Sequence, residues 1–208
     1  MKESFETSYT GRELELDLLG EAVKPAARYE GKYRNFREAE ELVKRNQPDG
    51  WDPSDPPVNP TAFPGDLYFV VSEVFKQELE HELADAEVGP RLLKNLELVA
   101  ESGKLEFWNA TGSDLDQNHG TDAFFTLSVP GSDTRNSLEV IATIDVTRNS
   151  DKADRGAKAD TIIFLPPGAS YDSLREEARQ KLLGEAAKSI AANLVSKIER
   201  SLERRAAA

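Results

Sequence analysis

Two aspartates stand at the edges of strand-like runs. Asp122 opens the run Asp122–Val129 (DAFFTLSV), and Asp145 lies near the end of Leu138–Thr147 (LEVIATIDVT). The segment joining them, PGSDTRNS, is rich in turn formers, so the two runs read as a β-hairpin with a long loop. Such a hairpin can bring both carboxylates to one edge of a sheet. Two carboxylates at one point repel unless a proton or a cation lies between them. Hard oxygen donors converging in this way suit Mg²⁺ or Mn²⁺, which keep waters for a substrate phosphate and a nucleophile. The spacing leaves a second arrangement open, in which Asp122 caps a turn after Gly120 and Asp145 faces solvent.

Other chemistries find little support. Neither G-x-x-x-x-G-K-[ST] nor G-x-G-x-x-G occurs, which removes the common nucleotide-binding loops. His81-Glu82 approaches the zinc motif H-E-x-x-H, but the position of the second His is Asp85, and the segment reads as a solvated helix face. With His81 and His119 the only histidines and no cysteine, thiolate chemistry and disulfides are excluded and neither a Ser–His–Asp triad nor a structural zinc site is expected. Asp116 and His119 could serve a second cation, or simply belong to a polar loop. Trp51 and Trp108 read as packing residues, with Trp51 pinning a proline-rich loop.

The elements that must position these residues follow from periodicity. Leu14, Leu18, Leu19 and Val23 recur at helical spacing until Pro25, and Phe36, Ala39, Leu42 and Val43 mark a second helix. Six of the eleven prolines fall between Gln47 and Asp66, predicting an extended loop. A long helix is expected from Leu67, through Val71, Phe75, Leu79 and Leu83, interrupted at Gly89–Pro90. The next helix carries Leu93, Leu96 and Val99 or Ala100 and ends at Gly103. KLEFWNA alternates as a strand, and TIIFLPP is a short strand with a proline stop. In LEVIATIDVT, Leu138, Val140, Ala142, Ile144 and Val146 share one face, and Glu139, Ile141, Thr143, Asp145 and Thr147 share the other. From Tyr171 to about Arg205 a long helix places Leu174, Ala178, Leu182, Ala186, Ile190, Leu194, Ile198 and Leu202 on one row. That row is longer than one small sheet can cover, so the helix is expected to meet the N-terminal helices or a second copy of the chain in a homodimer. The composition shift divides the chain into a helical appendage with its Pro-rich loop, 1–66, and a core with the C-terminal helix, 67–208.

The 208 residues suffice to bury a real core, and 31% of them are charged. Net charge is −12, which speaks against a general nucleic-acid coat protein. The charge is uneven: residues 148–208 carry 12 basic and 9 acidic side chains, whereas residues 1–147 carry 14 and 29. No apolar run is long enough to span a membrane, and the start MKESFETSYTG lacks an apolar signal core, so a cytoplasmic protein is expected.

Taken together, GTDAFF and IDVT, preceded by a helix bearing Glu, resemble the core of the PD-(D/E)XK nuclease superfamily over about residues 67–165. The resemblance implies an α+β fold whose central mixed sheet, of the restriction-endonuclease-like type, is flanked by helices. It implies metal-dependent hydrolysis of DNA phosphodiesters, with Asp122 and Asp145 as metal ligands for Mg²⁺ or Mn²⁺. A Glu from the leading helix, Glu78 or its neighbour Glu82, would complete the site. Thr147 stands where the family has Lys, and it cannot supply the positive charge that a developing phosphorane or an attacking water needs. Lys152 would replace it if the chain turns back after Asn149, with Lys158 a weaker candidate. The alternative is a catalytically inactive nuclease fold acting as an interaction or assembly module. The short connection from Thr147 to Thr161 departs from the longer crossover that parallel strands normally need.

Overall fold

Alternation along one strand sets the layers of this molecule. In the computed structural model, residues 13–31, 33–57, 62–84, 90–129, 137–149, 151–152 and 158–207 are described. Strands β1 (Lys104–Asn109), β2 (Ala123–Val129), β3 (Leu138–Thr147) and β4 (Thr161–Phe164) form one sheet in the order β1-β2-β3-β4. β1, β2 and β3 are mutually antiparallel neighbours, and β4 runs parallel to β3 with Ile144 opposite Thr161. The parallel pairing is made across the short connection, with no long crossover helix among its described residues. The β2–β3 loop at 130–136, Asp85 and Gly89, and the side chain of Leu93 lie outside what is described.

Val140, Ala142, Ile144 and Val146 point into the main core together with Phe125 and Leu127, their cross-strand partners being on the same face. The helices over this face are α1 (described over 13–19), α3 (Phe63–Ala84), α4 (Pro90–Ser102) and α6 (Glu176–Ala207). Helix α3 starts four residues earlier than expected, because Pro64 falls in its first turn, where its missing N–H costs nothing. The opposite face carries a smaller cluster of Phe124, Val23, Ala27, Ala39 and Val43, covered by α2 (Phe36–Arg45). Trp51 donates from Nε1 to the Phe107 carbonyl at 3.1 Å and so fastens the proline-rich loop to β1.

Two expectations change at the chain ends. Leu14, Leu18 and Leu19, from the segment read as an appendage, are fully buried in the same core as the sheet. The Asn109 side chain donates to the carbonyls of Leu19 and Glu21 at 3.0 and 2.8 Å, tying that segment to the end of β1. Of the expected row, Ala186, Ile190, Leu194 and Ile198 are buried within this one chain against α3 and the sheet, Leu182 and Leu202 are partly buried, and Ala178 is exposed. Its coverage needs no second copy. Among the described residues no helix is long and apolar enough to cross a membrane.

Candidate metal centre

Asp122 sits one residue before β2. Its N–H donates to the Ile144 carbonyl at 2.8 Å, and its own carbonyl accepts from Ala110 N–H at 2.8 Å. The register that pairs Ala123 with Ile144 puts Asp122 and Asp145 at the same end of the β2–β3 pair, and Asp145 is among the charges that act on the Asp122 carboxyl. Both are buried, at 3% and 2% exposure.

Their partners differ. Asp145 receives the Lys152 ammonium at 2.6 Å on Oδ2 and 2.8 Å on Oδ1. Lys152 reaches it because the chain turns back directly after β3. Asn149 N–H donates to Thr147 Oγ1 at 3.1 Å, Asp151 N–H to Asn149 Oδ1 at 3.0 Å, and Lys152 N–H to the Asn149 carbonyl at 3.2 Å. Thr147 thus opens the turn that delivers a lysine from further along the chain. Among the described residues no cationic side chain pairs with Asp122; its Oδ2 accepts from Val146 N–H at 2.7 Å. Burial pushes its carboxyl well above the ordinary range, and the charges of Glu15, Asp116 and Asp145 push it further. The Val146 N–H opposes them only in part.

Glu15, Asp116 and Asp122 each direct a carboxylate oxygen to one place, all three within 4.8 Å of one another. Glu15 comes from α1, one helical turn before Leu18 and Leu19, whose burial holds that helix against the sheet. Asp116 comes from α5 (Asp114–His119), a short helix capped by the Ser113 hydroxyl, which accepts from Leu115 and Asp116 N–H. Gly120, at φ 62°, ends α5 in the left-handed region and turns the chain towards Asp122. Asp116 Oδ2 is aimed by Gly112 N–H at 2.7 Å. A donor set made only of carboxylate oxygens fits a hard cation such as Mg²⁺ or Mn²⁺ better than zinc.

The remaining candidates lie elsewhere. Glu78 is half-buried on α3 and belongs neither to this cluster nor to the acids acting on Asp122. The helical glutamate near the aspartates comes from α1 instead. Its sequence signal was an acid flanking the buried row of Leu14, Leu18 and Leu19. His119 Nε2 meets the Arg34 carbonyl at 3.0 Å, and Lys158 donates to the Asn118 carbonyl at 2.9 Å. An apolar groove of about 600 Å³ between α3, α4 and β1, lined by Tyr68, Phe75, Leu79 and Leu105, contains none of Glu15, Asp116, Asp122 or Asp145.

No protein-family model, no curated protein and no solved structure matches this chain.

Proposed function

We propose that the protein is a metal-dependent nuclease of the PD-(D/E)XK type that hydrolyses phosphodiesters in DNA. The observation that carries this is the buried Asp122 carboxyl, crowded by Glu15 and Asp116 and facing the Asp145–Lys152 pair. A mixed four-stranded sheet flanked by helices, with both aspartates at one edge, supports the restriction-endonuclease-like assignment. So does a glutamate contributed by a helix that precedes the sheet, with Glu15 in the role first sought at Glu78.

Asp122 and Glu15 would hold the cation, Asp116 lies close enough to add an oxygen, and Asp145 would add its charge. A divalent cation bound there would lower the pKa of a water and neutralise the scissile phosphate. Asp145 keeps the Lys152 ammonium beside that point, where it orients the water or meets the charge developing on phosphorus. Lys152 does the work that Thr147 cannot. The side chain is 44% exposed, so it can move from carboxylate to phosphate without unpacking the core.

The test is cleavage of plasmid, linear and single-stranded DNA with Mg²⁺, Mn²⁺ or EDTA, alongside calorimetric titration of the metal. Cleavage is expected only with metal, and Asp122→Asn should lower it by more than about a hundredfold, beyond the usual outer-shell effect. Lys152→Ala should lower the rate by about 10²–10³ while leaving metal affinity within a few-fold. Metal-independent cleavage, or full activity in Asp122→Asn, would overturn the assignment. Absence of both metal binding and cleavage would favour the silent interaction module instead, whereas tight metal binding that depends on Asp122 would count against that module.

A further inference from the structure

A sheet of order β1-β2-β3-β4 has two outer strands, and this chain treats them differently. Along β1 the molecule takes up its own outward backbone groups. Tyr68 Oη donates to the Leu105 carbonyl at 3.1 Å, and Phe107 N–H donates to the Pro53 carbonyl at 2.7 Å. Trp51 closes the Phe107 carbonyl. The Gln47 side chain accepts from Asn109 N–H at 3.2 Å and donates to its carbonyl at 2.8 Å. An edge covered in this way is closed to another strand.

Strand β4 is built the other way. Leu165 N–H donates to the Thr147 carbonyl at 2.9 Å and Ile163 lies opposite Val146, so Thr161, Ile163 and Leu165 turn their backbone groups to β3. The N–H and C=O of Ile162 and Phe164 therefore point along the free edge, and no hydrogen bond reaches them among the described residues. Their flanks are closed. Asp160 N–H donates to Thr143 Oγ1 at 2.9 Å, and its carbonyl accepts from Asn193 Nδ2 at 3.2 Å. Pro166 has no N–H, and its carbonyl accepts from Ala169 N–H at 3.1 Å. The open window is thus symmetric about Ile163. Residues 161–167 carry no charge that would repel a neighbouring strand, and Phe164 is 38% exposed.

We infer that two copies of the protein pair through β4, antiparallel about a two-fold axis at Ile163, with Ile162 of each copy opposite Phe164 of the other. Antiparallel pairing of identical strands is self-complementary, and a window symmetric about one residue meets that requirement. Each Ile162 exchanges both backbone hydrogen bonds with the second copy's Phe164. Asp160 then lies opposite the second copy's Pro166, and neither needs a partner. A longer strand from an unrelated protein would leave its own groups unpaired at those two positions, which favours a second copy as the occupant. The axis stands perpendicular to the sheet, so Asp145, whose face Ile162 shares, lies on the same face in both copies. The two β3 strands are then about 14 Å apart, at ~4.8 Å per strand. The pairing does not depend on the metal centre.

Sedimentation velocity of the full chain in EDTA, from micromolar to submillimolar concentration, tests it. The wild type should pass from monomer to dimer as concentration rises. Phe164→Lys disturbs both symmetry-related contacts and should weaken the dimer about tenfold or more, whereas Leu98→Lys, at an exposed leucine on α4, should leave it unchanged. The register has its own test, because the chain holds no cysteine. Facing residues of a hydrogen-bonded antiparallel pair have Cα atoms about 5.5 Å apart, within disulfide reach. Under mild oxidation a mixture of Ile162→Cys and Phe164→Cys chains should therefore give several-fold more cross-linked dimer than either variant alone. A wild type that stays monomeric throughout would overturn the inference. So would a dimer of unchanged affinity in a Phe164→Lys variant that melts like the wild type, which would assign it to another surface. Cross-linking no greater in the mixture than in the separate variants would overturn it as well. None of these readouts involves metal or DNA, so their failure leaves the nuclease assignment to its own test.

Discussion

At Asp122 burial and three neighbouring negative charges act on one carboxyl, against a single N–H donor from Val146. The folded protein therefore holds a proton there at pH values where the unfolded chain has released it. Without metal, this group makes stability fall as pH rises from the ordinary carboxylate value through its raised native value. Asp122→Asn keeps an oxygen for Val146 N–H and removes the charge. In EDTA at pH 8 the variant should melt higher than wild type, by on the order of 1 kcal/mol or about 2–4 °C for a chain of this length. It should lose the pH-dependent difference below that, and gain nothing from added Mg²⁺. A lower melting temperature at pH 8 would show that the carboxylate charge is compensated in the native state. Sequence spacing made Asp122 and Asp145 legible because strand alternation is local. Lys152 was legible too, since a site with Thr147 in place of Lys needed a cation and the polar stretch after Asn149 allowed a turn. Glu15 was not, because its position depends on how α1 packs against a sheet about 100 residues further along the chain.

Between elements, the parallel pairing of β3 and β4 is secured by a polar knot at Asp160, just ahead of β4. Its Oδ2 accepts from Thr143 N–H at 2.7 Å, Thr143 Oγ1 at 2.8 Å and Lys197 Nζ of α6 at 2.6 Å. Lys197 also donates to the Ile141 carbonyl at 2.7 Å. Burial pushes the Asp160 carboxyl up, but Lys197 and the Thr143 donors outweigh it and hold it below the ordinary range. Its contribution is therefore present above about pH 4 and is lost as pH falls through the lowered native value. Asp160→Ala leaves the Thr143 donors and the Lys197 ammonium without their acceptor. We expect a loss of about 1–3 kcal/mol in urea unfolding at pH 7, shrinking towards pH 3. A loss that does not depend on pH would assign the effect to packing alone. This knot explains how a short connection sustains parallel strands, and no periodicity signals it. Helix α5 was equally hidden: six residues carry too little apolar repeat to stand out from a polar loop.

For the molecule as a whole, the division at residue 66 does not correspond to a gap in packing. Leu14, Leu18 and Leu19 fill the same core as Phe125 and Leu127. Losing even one such leucine side chain typically costs about 2–5 kcal/mol, and net stability is only about 5–15 kcal/mol. A chain comprising residues 67–208 should thus show no cooperative thermal transition and should bind hydrophobic dye. A sharp transition in that fragment would restore the appendage as a separate unit. The long C-terminal helix has a further consequence, for synthesis. The apolar face of β3 is complete at Thr147, whereas α6, which covers it, ends at Ala207. At ~5–20 residues per second, the intervening stretch of about 60 residues leaves the part of that face under α6 uncovered for roughly 3–12 s on every ribosome. Slowing elongation of the nascent chain is expected to lengthen the interval in which neighbouring chains on one message can stick together through that surface.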